Sequence, residues 1–140
     1  MKYLADTHIW HRAVSSSERS RLPLSEVVLK IWNEEVEEVA LCDISILELS
    51  RHWLEQGNSA DTATAALAHA MQGLAVLPIT PQVAVKSVAL DWPKKKGVKQ
   101  HRDPADRLIV ATAIIYGLMI LSEDEEIVHS AKRWGLTAIS

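Results

Sequence analysis

The sequence has a single cysteine, Cys42, which excludes an internal disulfide framework and a cysteine-built zinc site. Cys42 lies in an apolar stretch and reads as a small buried filler. No run of about 20 apolar residues is available to span a membrane. The first residues, MKYLADTHIW, lack the apolar core and small-residue cleavage site of a secretory signal, so the expected location is cytoplasmic. Repeats, low-complexity tracts and linkers are also missing, and residues 1–140 are expected to form one domain around one core. Nor is there an excess of basic charge: 15 Lys and Arg against 18 Asp and Glu leave −3. That balance gives no overall sign of nucleic-acid binding, although carboxylates that hold metal ions count as negative while being neutralised in the working protein.

What the chain does have is short apolar runs alternating with helical periodicity. Lys2–Ala5 reads as a strand buried on both faces, and the polar, serine-rich Arg12–Arg21 as a loop. Leu24, Val27, Val28, Ile31 and Trp32 recur at helical spacing, with Ser25 a cap near the start. Val39–Ile44 is a second strand. Ser45 to Glu48 has the form of a capping box, opening a helix that runs to about Gln56 and stops at Gly57. Ser59–Gln72 is helical, Ala75–Ile79 a third strand, and Thr80 caps a helix through Leu90. A basic loop, Asp91–Arg102, precedes the apolar helix Pro104–Tyr116. Leu118–Ser122, Glu123–Trp134 and Leu136–Ile139 complete the order as strand, helix and strand. Such alternation implies a parallel sheet covered on both faces, a three-layer α/β/α sandwich.

In a parallel sheet the strand C-termini and helix N-termini share one edge, where ligands bind. Asp6 ends the first strand, and Glu48 lies in the first turn after the second. Asp106 lies in the first turn before the fourth strand, and Asp124 just past it. Each has a plain structural alternative. Glu48 and Asp106 occupy the third position of a capping box, and Asp124 suits the first turn of the last helix. Asp6, directly after a strand, has no expected helix to cap. Asp103 reads as the cap of the Pro104 helix, and Asp43, Glu123, Glu125 and Glu126 as surface. Four converging carboxylates repel unless a cation sits among them, and hard oxygen donors select Mg²⁺ or Mn²⁺. Such a set suits phosphodiester hydrolysis.

Four short motifs carry a resemblance: LADTHIW (4–10), SILEL (45–49), HRDPADRLIVATA (101–113) and LSEDEEI (121–127). In this order and length they resemble a PIN-domain ribonuclease of the VapC toxin type, over essentially the whole chain. The resemblance implies a Rossmann-like five-stranded parallel sheet and a Mg²⁺- or Mn²⁺-dependent endoribonuclease. Its catalytic and metal-binding acids fall on Asp6, Glu48, Asp106 and Asp124, with Thr7, Ser122 and Asp103 supporting. It also implies an RNA substrate (tRNA or rRNA), a cognate antitoxin that lays an amphipathic segment across the toxin, and compatibility with a homodimer. Ala105 stands where relatives often carry an aromatic residue, and the acids around Asp124 blur that position. A catalytically inactive PIN-like binding module is the alternative. An aspartyl-phosphate phosphatase would want an acid two residues after Asp6, where His8 stands.

Lys94, Lys95, Lys96, Lys99, His101 and Arg102 border the acidic rim and are expected to meet RNA phosphates. His8 is expected to fix the loop after the first strand. His11, His52, His69 and His129 show no metal-ligand spacing. Arg107 is a partner for a nearby carboxylate. Trp10, Trp32, Trp53 and Trp134 are core candidates, with Leu49, Trp53 and Leu54 also able to form an apolar groove.

Overall fold

Five short strands form one parallel sheet: β1 (Tyr3–Ala5), β2 (Val39–Cys42), β3 (Ala75–Leu77), β4 (Met119–Leu121) and β5 (Ala138–Ile139). The computed structural model describes residues 1–93 and 103–140. The basic segment expected to meet RNA (Lys94, Lys95, Lys96, Lys99, His101 and Arg102) lies outside the described residues. The strand order is β3-β2-β1-β4-β5, with Leu4 opposite Ala40 on one side and Ile120 on the other. The chain runs outward from β1 through β2 and β3, then returns to β1's other side. The order therefore reverses between β1 and β4, the place where a ligand crevice opens at the strand C-termini.

The strands are uniformly apolar because both faces are covered. Alternate residues of β1 point into two different cores. Leu4 joins Ala40, Cys42 and Ile120 beneath Ile109, Val110 and Ala113. Tyr3 and Ala5 join Val39, Leu41 and Leu121 beneath Ile9, Trp10, Val28 and Leu49. The first core lies under α7 (Pro104–Tyr116), and the second under α1 (Thr7–Val14), α3 (Glu26–Glu34) and α4 (Asp43–Glu55). The three-layer α/β/α architecture is as expected. The remaining helices are α2 (Ser16–Arg21), α5 (Ala60–Ala70), α6 (Pro81–Ala89) and α8 (Glu125–Ser130). No helix among the described residues is long and apolar enough to cross a membrane.

Three local readings are corrected. The polar stretch Arg12–Arg21 is not a loop: it holds the end of α1 and all of α2. Ser15 joins them, closing α1 and capping α2 by accepting from the Glu18 N–H. The serine-rich composition marked a cap, not irregular structure. Second, α4 starts at Asp43, before Ser45, so the SILE stretch is not a capping box. Asp43 accepts instead from the Ile79 N–H. Third, the last helix begins at Glu125 and passes into a 3₁₀ turn over Ala131–Trp134.

The tryptophans confirm the core reading and extend it. Trp10 is fully buried and donates to the Ala70 carbonyl. Trp92, placed in a basic loop by its neighbours in sequence, is equally buried, donates to Glu126 and packs against Trp134. The Arg107 guanidinium lies over the Trp92 ring and donates to the Ser87 and Leu90 carbonyls.

Candidate active site at the sheet edge

Asp6 follows β1 directly and is 4% exposed. It does have a helix to cap, contrary to expectation: its Oδ1 accepts from the Thr7 N–H at 2.8 Å and α1 begins there. Its second oxygen accepts from Ser122 Oγ at 2.7 Å. Ser122 follows β4, so this bond ties together the two strands that flank the reversal. Ser122 Oγ in turn accepts from the Asp124 N–H. His8 stands beside this pair, with Nδ1 at 3.4 Å from Asp6 Oδ2. His8 Nε2 accepts from the Glu123 N–H at 3.0 Å, which leaves the neutral ring's proton on Nδ1, facing Asp6. Contrary to expectation, His8 does not fix a loop after β1, because α1 begins there at Thr7; it lies in α1, holds the segment after β4 through Glu123, and also touches the acid.

Glu48, one turn into α4, receives a hydrogen bond from Thr7 Oγ1 at 2.6 Å, and the same hydroxyl lies 2.8 Å from Ser45 Oγ. Asp106 comes from the first turn of α7. There Asp103 is the cap, as expected, accepting from the Ala105 N–H. Asp6, Glu48 and Asp106 line one cleft of about 260 Å³ with Thr7, His8, His11, Leu49 and His52. Asp124 caps α8 by accepting from the Ile127 N–H and lines the adjoining cleft.

Burial pushes the Asp6 carboxyl above its usual range, against the opposing pull of His8, Ser122 and the Thr7 N–H. Glu48 is raised chiefly by burial, with Asp6 and Asp103 adding repulsion. Asp106 is raised to about 8, by burial first and then by Asp103, Asp6, Asp124 and Glu48. The acids thus share one field although they come from four segments of the chain. Among the described residues, no three of them bring oxygens all within 4.8 Å of one another. Like-charged groups settle apart, and drawing them together requires a cation. The donor set, carboxylates with supporting hydroxyls, fits a hard divalent ion such as Mg²⁺ or Mn²⁺.

The acidic run after β4 is less of a surface feature than its composition suggests. Glu125 is exposed, but Glu126 accepts from Trp92 and Glu123 pairs with the buried Arg12. That pairing holds the Glu123 carboxyl below the usual range. The expected groove on α4 is only partly open: Leu49 is buried, while Leu47 and Leu54 are exposed.

The family model for the PIN domain matches residues 3–133. Ribonuclease VapC22 of Mycobacterium tuberculosis is 30% identical over 129 residues, covering 89% of this chain and 88% of that protein. Among solved structures, VapBC2 from Rickettsia felis bound to a promoter DNA fragment is similar with a TM-score of 0.69 at 16% identity. That match covers 99% of this chain and 98% of the other. DNA-bound VapBC from Salmonella typhimurium is similar with a TM-score of 0.66 at 18% identity, covering 99% and 97%.

Proposed function

This chain belongs to the PIN-domain family, and on that premise we propose that it is a metal-dependent endoribonuclease, the toxin of a type II toxin–antitoxin pair. The observation that carries the reading is the convergence of Asp6, Glu48 and Asp106 on one cleft at the strand-order reversal. The relative named as a ribonuclease supports the substrate class. RNA as substrate also accounts for the expected cytoplasmic location.

Asp6 and Asp106 would hold Mg²⁺ or Mn²⁺ directly, with Asp124 completing the site or holding a second ion. When bound, the ion supplies charge stabilisation at the phosphoryl group and acidifies water. The protein's own groups divide the remaining work. Ser122 and the Thr7 N–H fix the two oxygens of Asp6, and Thr7 Oγ1 fixes Glu48. Glu48, its carboxyl raised by burial, orients the attacking water and takes its proton. In-line attack on phosphorus breaks the bond to O3′, leaving a 5′-phosphate and a 3′-hydroxyl. Because α1, α4 and α7 start at this edge, Asp6 and Asp106 sit at helix starts and Glu48 one turn into a helix, none of them on a loop.

A cognate antitoxin is the partner expected to inhibit it. Supporting this, the similar solved structures are VapBC assemblies. Leu47 and Leu54, exposed two turns apart on α4, offer the stripe that an amphipathic segment would cover.

Purified protein incubated with total RNA should cleave it in Mg²⁺ or Mn²⁺ and not in chelator, with new 5′ ends absent for Asp6→Asn. Equal cleavage by both proteins would sink the assignment, and RNA binding without cleavage would favour the inactive module. Ser122→Ala should slow cleavage by about 10- to 100-fold, since it frees one oxygen of Asp6 and leaves the Asp124 N–H without its acceptor. An unchanged rate would show that the Ser122 hydroxyl does not position the acid.

A further inference from the structure

We propose that His11, Glu18 and His52 form a second cation site, one that takes Zn²⁺ or a similar d-block divalent ion and not Mg²⁺. Their spacing in sequence gives no such sign. The three residues come from the end of α1, the first turn of α2 and the end of α4, and they are brought together by the packing of those helices. Their ligand atoms all lie within 4.8 Å of one another. The His11 and His52 rings meet edge to face, with centroids 4.6 Å apart. Ser15 fixes Glu18 beside them by accepting its N–H.

A second observation points to a ligand. His52 Nε2 is buried and has no hydrogen-bond partner among the described residues. A buried ring nitrogen left without a partner is uncommon in a folded protein, and an ion is one of the few things that satisfies it. Both histidines line the cleft that also holds Glu18, so the cluster borders a space an ion can enter. Two imidazoles and one carboxylate are a Zn²⁺ donor set that leaves a fourth position open. Around a tetrahedral ion with bonds of about 2.0–2.1 Å, donors stand roughly 3.3 Å apart. The three side chains therefore need to close by at most about 1.5 Å on binding, within reach of small χ rotations.

Arg21 opposes the ion, because its guanidinium already pairs with Glu18 Oε2 at 2.8 Å. It is largely exposed and can swing away, so binding is an exchange of one cation for another. That exchange distinguishes a built site from adsorption to surface histidines. His11 and His52 also wall the cleft of Asp6, Glu48 and Asp106, so an ion here adds positive charge beside it. Binding itself does not depend on whether the chain cleaves RNA.

The test is a Zn²⁺ titration of the full chain, in competition with a chromophoric chelator and with excess Mg²⁺ present to occupy the carboxylates. One Zn²⁺ per chain is expected, and Co²⁺ in its place should show the visible bands of a four-coordinate ion. His11→Gln and His52→Gln should each weaken binding by at least about 100-fold. Arg21→Gln should tighten it several-fold, and Asp6→Asn should leave it unchanged. Circular dichroism on each variant guards against misfolding, and Arg21→Gln decides the matter if a histidine variant fails to fold. Zn²⁺ binding that is absent, indifferent to His52→Gln, or lost in Asp6→Asn would overturn the proposal.

Discussion

Asp106→Asn should abolish RNA cleavage and, in chelator at pH 8, raise the melting temperature of the protein. Both effects follow from the same crowding. The Asp106 carboxyl is raised to about 8 by burial and by four neighbouring acids, whereas in an unfolded chain it titrates near about 3.9. A raised carboxyl contributes stability that is fully present below the unfolded value and is lost as pH rises through the folded one. Between about pH 4 and pH 8 wild-type protein therefore loses stability that the Asn variant keeps. The full shift would convert to roughly 5–6 kcal/mol. Asp106 is partly open to water, and screening reduces the expected gain to about 1–2 kcal/mol, or roughly 5 °C. The gain should shrink toward zero near pH 4, and adding Mn²⁺ should stabilise wild type more than the variant. Cleavage should fall by at least about 100-fold, the usual cost of losing a group that holds charge at the reacting centre. A variant that cleaves normally would remove Asp106 from the catalytic set.

Glu123→Ala should destabilise the protein by about 3 kcal/mol. Arg12 is 4% exposed, and Glu123 Oε1 stands 2.8 Å from its Nη2. The contact is close enough for an ion pair without the alignment of a hydrogen bond, since Nε and Nη2 make none among the described residues. Removing the acid leaves a buried guanidinium with no compensating charge, which is far costlier than losing an exposed pair. On a chain of this length the melting temperature should drop by roughly 10 °C. The double change Arg12→Met with Glu123→Ala should recover at least half of the loss, because it withdraws the buried charge as well. The sign with pH also follows. Arg12 depresses the Glu123 carboxyl, so the pair's contribution is present above about pH 4.3 and is lost as pH falls through the lower folded value. Urea denaturation of these three proteins together with the single variant Arg12→Met measures the coupling directly. A single-mutant effect below about 0.5 kcal/mol would show that water, and not Glu123, satisfies Arg12.

The acidic run that contains Glu123 shows where local reading stops. Its composition reads as a solvated surface, yet the run divides into an ion-pair partner, a helix cap, an exposed acid and an acceptor for a buried tryptophan. Nothing within Leu121–Ile127 sets that division. It depends on Arg12 and Trp92 arriving from elsewhere. The stretch 12–21 fails for a related reason: serine and arginine have no apolar periodicity, so the end of α1 and all of α2 are visible only through their caps, Asp6 and Ser15.

By itself the sequence determined the alternation of short apolar strands with helices, hence the parallel three-layer sheet, because a strand buried on both faces must be apolar throughout. It also determined that Asp6, Glu48, Asp106 and Asp124 belong to one edge, because all strands of a parallel sheet end on the same side. Only the tertiary structure decided which atoms meet. It joined Ser122 to Asp6 across 116 positions and Thr7 to Glu48 across 41, and it set His11 against His52. Side-chain distances between helix ends depend on how whole helices seat on the sheet, and no periodicity in the sequence encodes that seating.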